Sequence, residues 1–133
     1  MASTSSTVPT HLQKALVDLI DLSLQGKQAH WNISGEHFRS VHLQLDEVIA
    51  DLRGWTDDVA ERMAAMGNPP DGRAQTVSDT SQVDPLDGGV LPTDKVIRQF
   101  EDRLQSASNR IKGTLEDLEA DLLSQDLMIE IAT

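Results

Sequence analysis

The chain has 133 residues, enough for one domain with a single hydrophobic core and too few for two. It contains no cysteine, which excludes disulfides, thiol catalysis and thiolate metal sites and leaves histidine and carboxylate groups as the strong metal ligands. With 22 Asp and Glu against 11 Lys and Arg, the formal net charge is −11, a balance that repels nucleic acid and attracts cations.

The first residues lack the basic start and apolar run of a secretory signal, and no stretch approaches the roughly 20 apolar residues of a membrane span. We therefore expect a cytoplasmic protein with no membrane association. Residues 1–9 are rich in Ser and Thr and are expected to form a flexible tail. Thr10 is the predicted cap of the first helix.

Apolar residues recur every three or four positions along most of the chain, which predicts an all-α fold. The first helix is expected to run from Thr10 to about Asn32. Ser34 is expected to cap a second helix of about thirty residues, which Gly67 and the Asn-Pro-Pro after it should end.

A long connection is predicted over residues 67–92, where four of the five prolines and four of the eight glycines lie. A connection of this length can return to the far end of a long helix, so the helices on either side are predicted to run parallel. A short helical turn is expected within it, around Gln75 to Gln82.

Thr93 is expected to cap a third helix whose apolar positions continue to Leu118, and Ser124 to cap a fourth. Together these elements predict a four-helix bundle in one domain over residues 1–133, with a fourth helix that stops short of full length. Acidic residues crowd the chain from Glu116 to Asp121, which indicates a solvated helix end or, in an oligomer, the lining of a cation path.

A polar stripe on the second helix carries four potential metal ligands. A helix turns by about 100° per residue, so these four positions lie within an arc of about 100° around its axis: His42, Asp46, Asp57 and Glu61. The first pair and the second pair are centred about 22 Å apart along the axis. One metal ion cannot reach both pairs within one chain.

A second copy of this helix, packed antiparallel across a two-fold axis, would bring the pairs together. The position numbers of His42 and Glu61 add up to the same value as those of Asp46 and Asp57, which is the condition for both pairs to lie opposite each other in one isologous contact. His30, near the end of the first helix, is expected to reach His42 of its own subunit. Two imidazoles with three carboxylates suit a first-row metal, so iron is expected, with zinc as a possible substitute.

The stretch AHWNISGEHFRSVHLQLDE, followed by DDVAERM, resembles the Dps family, the small ferritin-like DNA-binding proteins from starved cells. The resemblance rests on a His-Trp pair, a second histidine twelve residues later, an aspartate four residues after that, and the AER that follows the second aspartate. It implies a ferritin-like bundle and a homo-oligomeric shell, a dodecamer built from two-fold dimers. The implied activity is that of a ferroxidase, which oxidises Fe(II) preferentially with hydrogen peroxide, stores iron and protects against oxidative stress.

The resemblance also implies a role for each residue of the stripe. One subunit would contribute His30, His42 and Asp46 to a mononuclear or di-iron site, and its partner would contribute Asp57 and Glu61. Trp31 would lie beside the site as an auxiliary residue that quenches radicals.

Two other functions stay open on the sequence alone. One is a nucleoid-associated DNA-binding or compaction protein that needs no chemistry; the other is a structural helical bundle whose polar stripe is only an interface. The net charge of −11 and the absence of a basic residue before Lys14 argue against DNA binding.

Overall fold

The computed structural model describes residues 4–133, with side chains described from residue 7 onward. In chain order its elements are α1 (Thr4–Asn32), β1 (Ile33–Ser34), α2 (Phe38–Ala65), α3 (Ala74–Thr80), β2 (Leu91–Pro92), α4 (Thr93–Lys112), a 3-10 helix (Leu115–Leu118) and α5 (Leu122–Ala132). Helices α1, α2, α4 and α5 form the bundle, and α3 lies in the long connection. The predicted all-α, four-helix architecture is confirmed.

The hydrophobic core lies between the four bundle helices, where their apolar stripes meet. Its most buried large side chains, each at most 2% exposed, include Leu12, Leu16, Leu22, Ile49, Leu52, Val59, Val96, Leu118 and Met128. Each fully buried side chain of this size contributes roughly 1.5–3 kcal/mol relative to an exposed one. Burial of these apolar stripes therefore contributes much of the fold's stability.

Helix α1 begins at Thr4, so the cap predicted at Thr10 is wrong. The reason is Val8, which is fully buried one turn before Leu12 and extends the apolar stripe upstream. Pro9 lies inside the helix. Of the tail predicted over residues 1–9, residues 1–3 lie outside the described part of the chain.

The cap predicted at Ser34 is also wrong, because Ser34 belongs to the short strand β1, which pairs in parallel with β2. Helix α2 instead starts at Phe38, directly after His37, whose φ of 61° lies in the left-handed region. The helix ends as expected, since Gly67 adopts a φ of 81° just past its last turn.

Helices α2 and α4 begin side by side, because each follows one strand of the two-stranded bridge. The Thr93 hydroxyl donates a hydrogen bond to the Glu36 carbonyl (2.7 Å), so it joins the two helix starts and does not cap α4. The two helices run in the same direction, as the long connection predicted. The helical turn expected within that connection is present as α3.

Helix α4 ends at Lys112, before the predicted end near Leu118. Leu118 is fully buried all the same, in the 3-10 helix. The cap predicted at Ser124 is wrong as well: α5 starts at Leu122, and the buried Ser124 hydroxyl donates to Asp121 (2.7 Å) and accepts from Arg62 (3.2 Å). Helix α5 has 11 residues, the shortest of the four bundle helices.

Candidate metal centre

Two histidines from different helices face each other near one end of the bundle. His30 is in the last turn of α1 and His42 is in the second turn of α2, and their rings stack with centroids 3.6 Å apart. The His30 ring donates from Nδ1 to the His42 carbonyl (2.8 Å), and the His42 ring donates from Nδ1 to the His30 carbonyl (2.9 Å). The expected approach of His30 to His42 is thus present within a single chain.

This reciprocal bonding assigns the tautomer of both rings. A carbonyl oxygen can only accept, so each Nδ1 must carry the hydrogen, and in the neutral ring each Nε2 then presents its lone pair. A histidine that binds a metal through one nitrogen usually donates its other N–H to a carbonyl or carboxylate. The Nδ1 hydrogen bonds of His30 and His42 therefore leave both Nε2 atoms without a backbone partner and match the bonding pattern of metal-binding histidines.

Asp46 adds a carboxylate one turn after His42 on α2. Its Oδ1 lies 3.8 Å from His30 Nε2 and accepts a hydrogen bond from the Lys27 ammonium at 2.9 Å. That hydrogen bond is the main cause that lowers the pKa of Asp46, and the nearby imidazoles lower it further. Asp46 is consequently held in its charged form beside the histidines.

Asp57 and Glu61 lie further along α2, both exposed and one turn apart. Repulsion from the Asp57 carboxylate raises the pKa of Glu61, and a hydrogen bond between the two carboxyl groups raises it further. This second pair is a like-charged site on the surface, which a cation would stabilise.

The single chain does not bring the two halves together. Across residues 4–133, no three His, Asp or Glu side chains are arranged to hold a metal ion by themselves. His30, His42 and Asp46 make up one half of the predicted set, and Asp57 and Glu61 make up the other.

Two large exposed apolar side chains lie beside the histidines, one in contact with His42 and one next to His30 in sequence. The Phe38 ring stacks on His42 with centroids 5.3 Å apart and is 45% exposed, and Trp31 is 67% exposed. Leu43, next to His42 in sequence, is 49% exposed. Exposed large apolar side chains are typical of a surface that another protein chain covers.

Comparison with known proteins places this fold in a family. The model of the ferritin-like domain matches residues 10–133. The DNA protection during starvation protein of Mycolicibacterium smegmatis is 37% identical over an alignment of 133 residues, which covers 94% of this chain and 69% of the relative. The chain belongs to the Dps family. The crystal structure of Dps92 from Deinococcus radiodurans matches this Dps chain with a TM-score of 0.95 and 32% identity, over 98% of this chain and 80% of that one.

This Dps chain spans only part of some relatives. DNA protection during starvation protein 2 of Deinococcus radiodurans is 36% identical over 121 residues, which amount to 90% of this chain and 50% of the relative. Within residues 4–133, none of the helices combines the length and apolar character needed to cross a bilayer.

Sequence reasoning missed one charged residue at the site. Lys27 precedes His30 by three positions, so both side chains lie on the same face of α1. That spacing could have indicated that Lys27 lies near the site. Its partner Asp46 belongs to α2, however, and only the packing of the two helices brings them together.

Proposed function

We propose that this Dps chain is a ferroxidase and iron-storage subunit that oxidises Fe(II), preferentially with hydrogen peroxide, at sites shared between two copies of the chain. His30, His42 and Asp46 of one subunit and Asp57 and Glu61 of its partner bind the iron, which is the substrate. The observation that carries the proposal is the pair of reciprocal His30 and His42 hydrogen bonds, which leaves both Nε2 atoms available.

The donor set fits iron chemically. Imidazole nitrogens with carboxylate oxygens suit iron and other first-row metals, whereas Ca²⁺ and Mg²⁺ prefer oxygen ligands throughout. Zinc can take the same ligands without redox chemistry. The exposed, like-charged pair Asp57 and Glu61 supports a shared site, because a cation held between two subunits would relieve their repulsion.

The chemistry needs two electrons for each peroxide. Two Fe(II) ions give up one electron each, and with two protons these reduce one hydrogen peroxide to two waters, so no hydroxyl radical is released. The histidines hold their ring orientation through their backbone partners, and Asp46 supplies negative charge beside them. In the assembled site, Glu61 of the partner subunit would bridge two ions. Trp31, next to His30 in sequence, is proposed as a radical quencher.

The proposed assembly is a homo-oligomer in which an antiparallel contact between two α2 helices forms the sites. The family resemblance extends this to a dodecameric shell that stores the ferric product. The exposed Phe38 ring, which stacks on His42, supports a contact at this face.

Mixing two inactive variants tests the sharing. The variant His30→Ala/His42→Ala keeps its carboxylates, and Asp57→Ala/Glu61→Ala keeps its histidines. Each alone should fail to oxidise Fe(II) with peroxide. Random co-assembly in equal amounts should restore about a quarter of the wild-type sites, because half of the dimers are mixed and each of those has one complete site.

A site contained within one chain predicts a different outcome. In that case the mixture stays as inactive as its components, although the subunits still assemble. Wild-type rates in either variant alone would show that these residues do not form the ferroxidase site.

A further inference from the structure

Lys27 forms an ion pair with Asp46, one of the proposed metal ligands. Its ammonium is 2.9 Å from Asp46 Oδ1, and the same oxygen is 3.8 Å from His30 Nε2. The Lys27 side chain is only 25% exposed, so the charge is partly shielded from water by the helices around it. Lys27 therefore supplies a positive charge in direct contact with Asp46, one of the five predicted ligands.

A carboxylate oxygen that accepts from an ammonium has less negative charge to offer a metal ion. In addition, two cations that share one carboxylate repel each other, and the repulsion is strongest where water is partly excluded. Lys27 must therefore release Asp46 or tolerate a nearby metal charge when the site is filled. Its flexible four-carbon stem allows the ammonium to turn toward solvent.

We propose that Lys27 is a positioning residue that competes with the metal ion for Asp46 and thereby sets the metal affinity of the site. The inference rests on the proposed function, since it assumes that Asp46 is a ligand. In the metal-free protein, Lys27 neutralises the carboxylate and holds it beside His30. On loading, the incoming ion replaces the ammonium as the partner of Asp46.

Direct metal binding tests this without iron oxidation. Co²⁺ is a suitable probe because it binds nitrogen and oxygen ligands and its visible absorption reports coordination. The variant Lys27→Gln removes the charge and keeps a hydrogen-bonding group. It should bind Co²⁺ about tenfold more tightly than the wild type, which is a large effect for a partly exposed charge. Lys27→Arg keeps the charge and should bind no more tightly than the wild type.

The matched control is Lys95→Gln. Lys95 also lies 2.9 Å from an aspartate, Asp87, and its loss changes the net charge by the same amount. Co²⁺ affinity should not change in this variant if the effect of Lys27 is local. Unfolding by urea without metal should show lower stability for Lys27→Gln, because an ion pair between α1 and α2 is lost.

The outcomes separate this inference from the proposed function. If the wild type binds Co²⁺ and Lys27→Gln binds it equally or more weakly, Lys27 only orients Asp46 and the competition is refuted, while the proposed site stands. If Lys95→Gln tightens binding as much as Lys27→Gln, net charge alone is responsible and the inference is again refuted. If the wild type and Asp46→Asn bind Co²⁺ identically, both the site and the inference fail.

Discussion

The two halves of the predicted metal site differ in how complete each is within one chain. At the histidine end, His30 and His42 are held by each other's carbonyls, and Asp46 has Lys27 as a cationic partner. At the carboxylate end, Asp57 and Glu61 are exposed and repel each other. The folding of one subunit therefore prepares the first half and leaves the second half as excess negative charge.

The difference between the two halves fits a site whose ligands come from two subunits. Ligands that must be oriented, such as imidazole rings, are best held by the subunit that carries them. Carboxylates can bind in several geometries and need less orientation, so the partner subunit can provide them. The difference between the halves predicts different responses to mutation and to pH.

The largest expected effect is on iron oxidation. Asp57→Ala/Glu61→Ala should abolish peroxide-dependent oxidation of Fe(II), with a loss of at least about a hundredfold, because two proposed ligands of each site are removed. Stopped-flow absorbance of the ferric product measures the rate. The control is Glu47→Ala/Asp58→Ala, which removes two exposed carboxylates of α2 that lie outside the stripe. Equal rates in both double variants would refute the role of Asp57 and Glu61.

For the stability of the metal-free protein, the histidine end should matter more than the carboxylate end. His42→Ala removes the ring that stacks on His30 and the hydrogen bond from His42 Nδ1 to the His30 carbonyl. The loss should lower the free energy of unfolding by about 1–3 kcal/mol. Asp57→Ala/Glu61→Ala should unfold at the same urea concentration as the wild type or a higher one, because a repulsion is lost. Urea unfolding of the metal-free proteins measures both. Equal destabilisation of the two variants would remove the contrast between the halves.

The pH dependence of stability should have opposite signs at the two ends. The pKa of Asp46 is lowered in the folded state, so its contribution is present above the ordinary Asp pKa of about 4 and is lost as the pH falls through the lowered value. The pKa of Glu61 is raised, so its ionisation costs stability as the pH rises above the ordinary Glu pKa of about 4.3.

The measurement is the urea midpoint of chelator-treated protein between about pH 3 and 7. Toward low pH, the stability of the wild type should fall to that of Asp46→Asn. Toward neutral pH, Glu61→Gln should become more stable than the wild type. This is the smallest of the three effects, since both side chains are substantially exposed. Parallel curves for the wild type and both variants would contradict it.

Much of the fold could be predicted from the sequence because helical periodicity is a local property. The spacing of Leu12, Leu16 and Leu19 and the turn at Gly67 depend on residues a few positions apart, and the structure confirms the helices they predict. Helix starts were predicted less well. Ser34, Thr93 and Ser124 are suitable caps by residue type, yet each has partners remote in sequence.

For the site, the sequence by itself determined the shared stripe of His42, Asp46, Asp57 and Glu61, because residue spacing on a helix follows from its regular geometry. Only the tertiary structure decided that His30 and His42 donate to each other's carbonyls and that Lys27 is bonded to Asp46. These contacts join α1 to α2, so they depend on how two helices pack, which no local pattern in the sequence specifies.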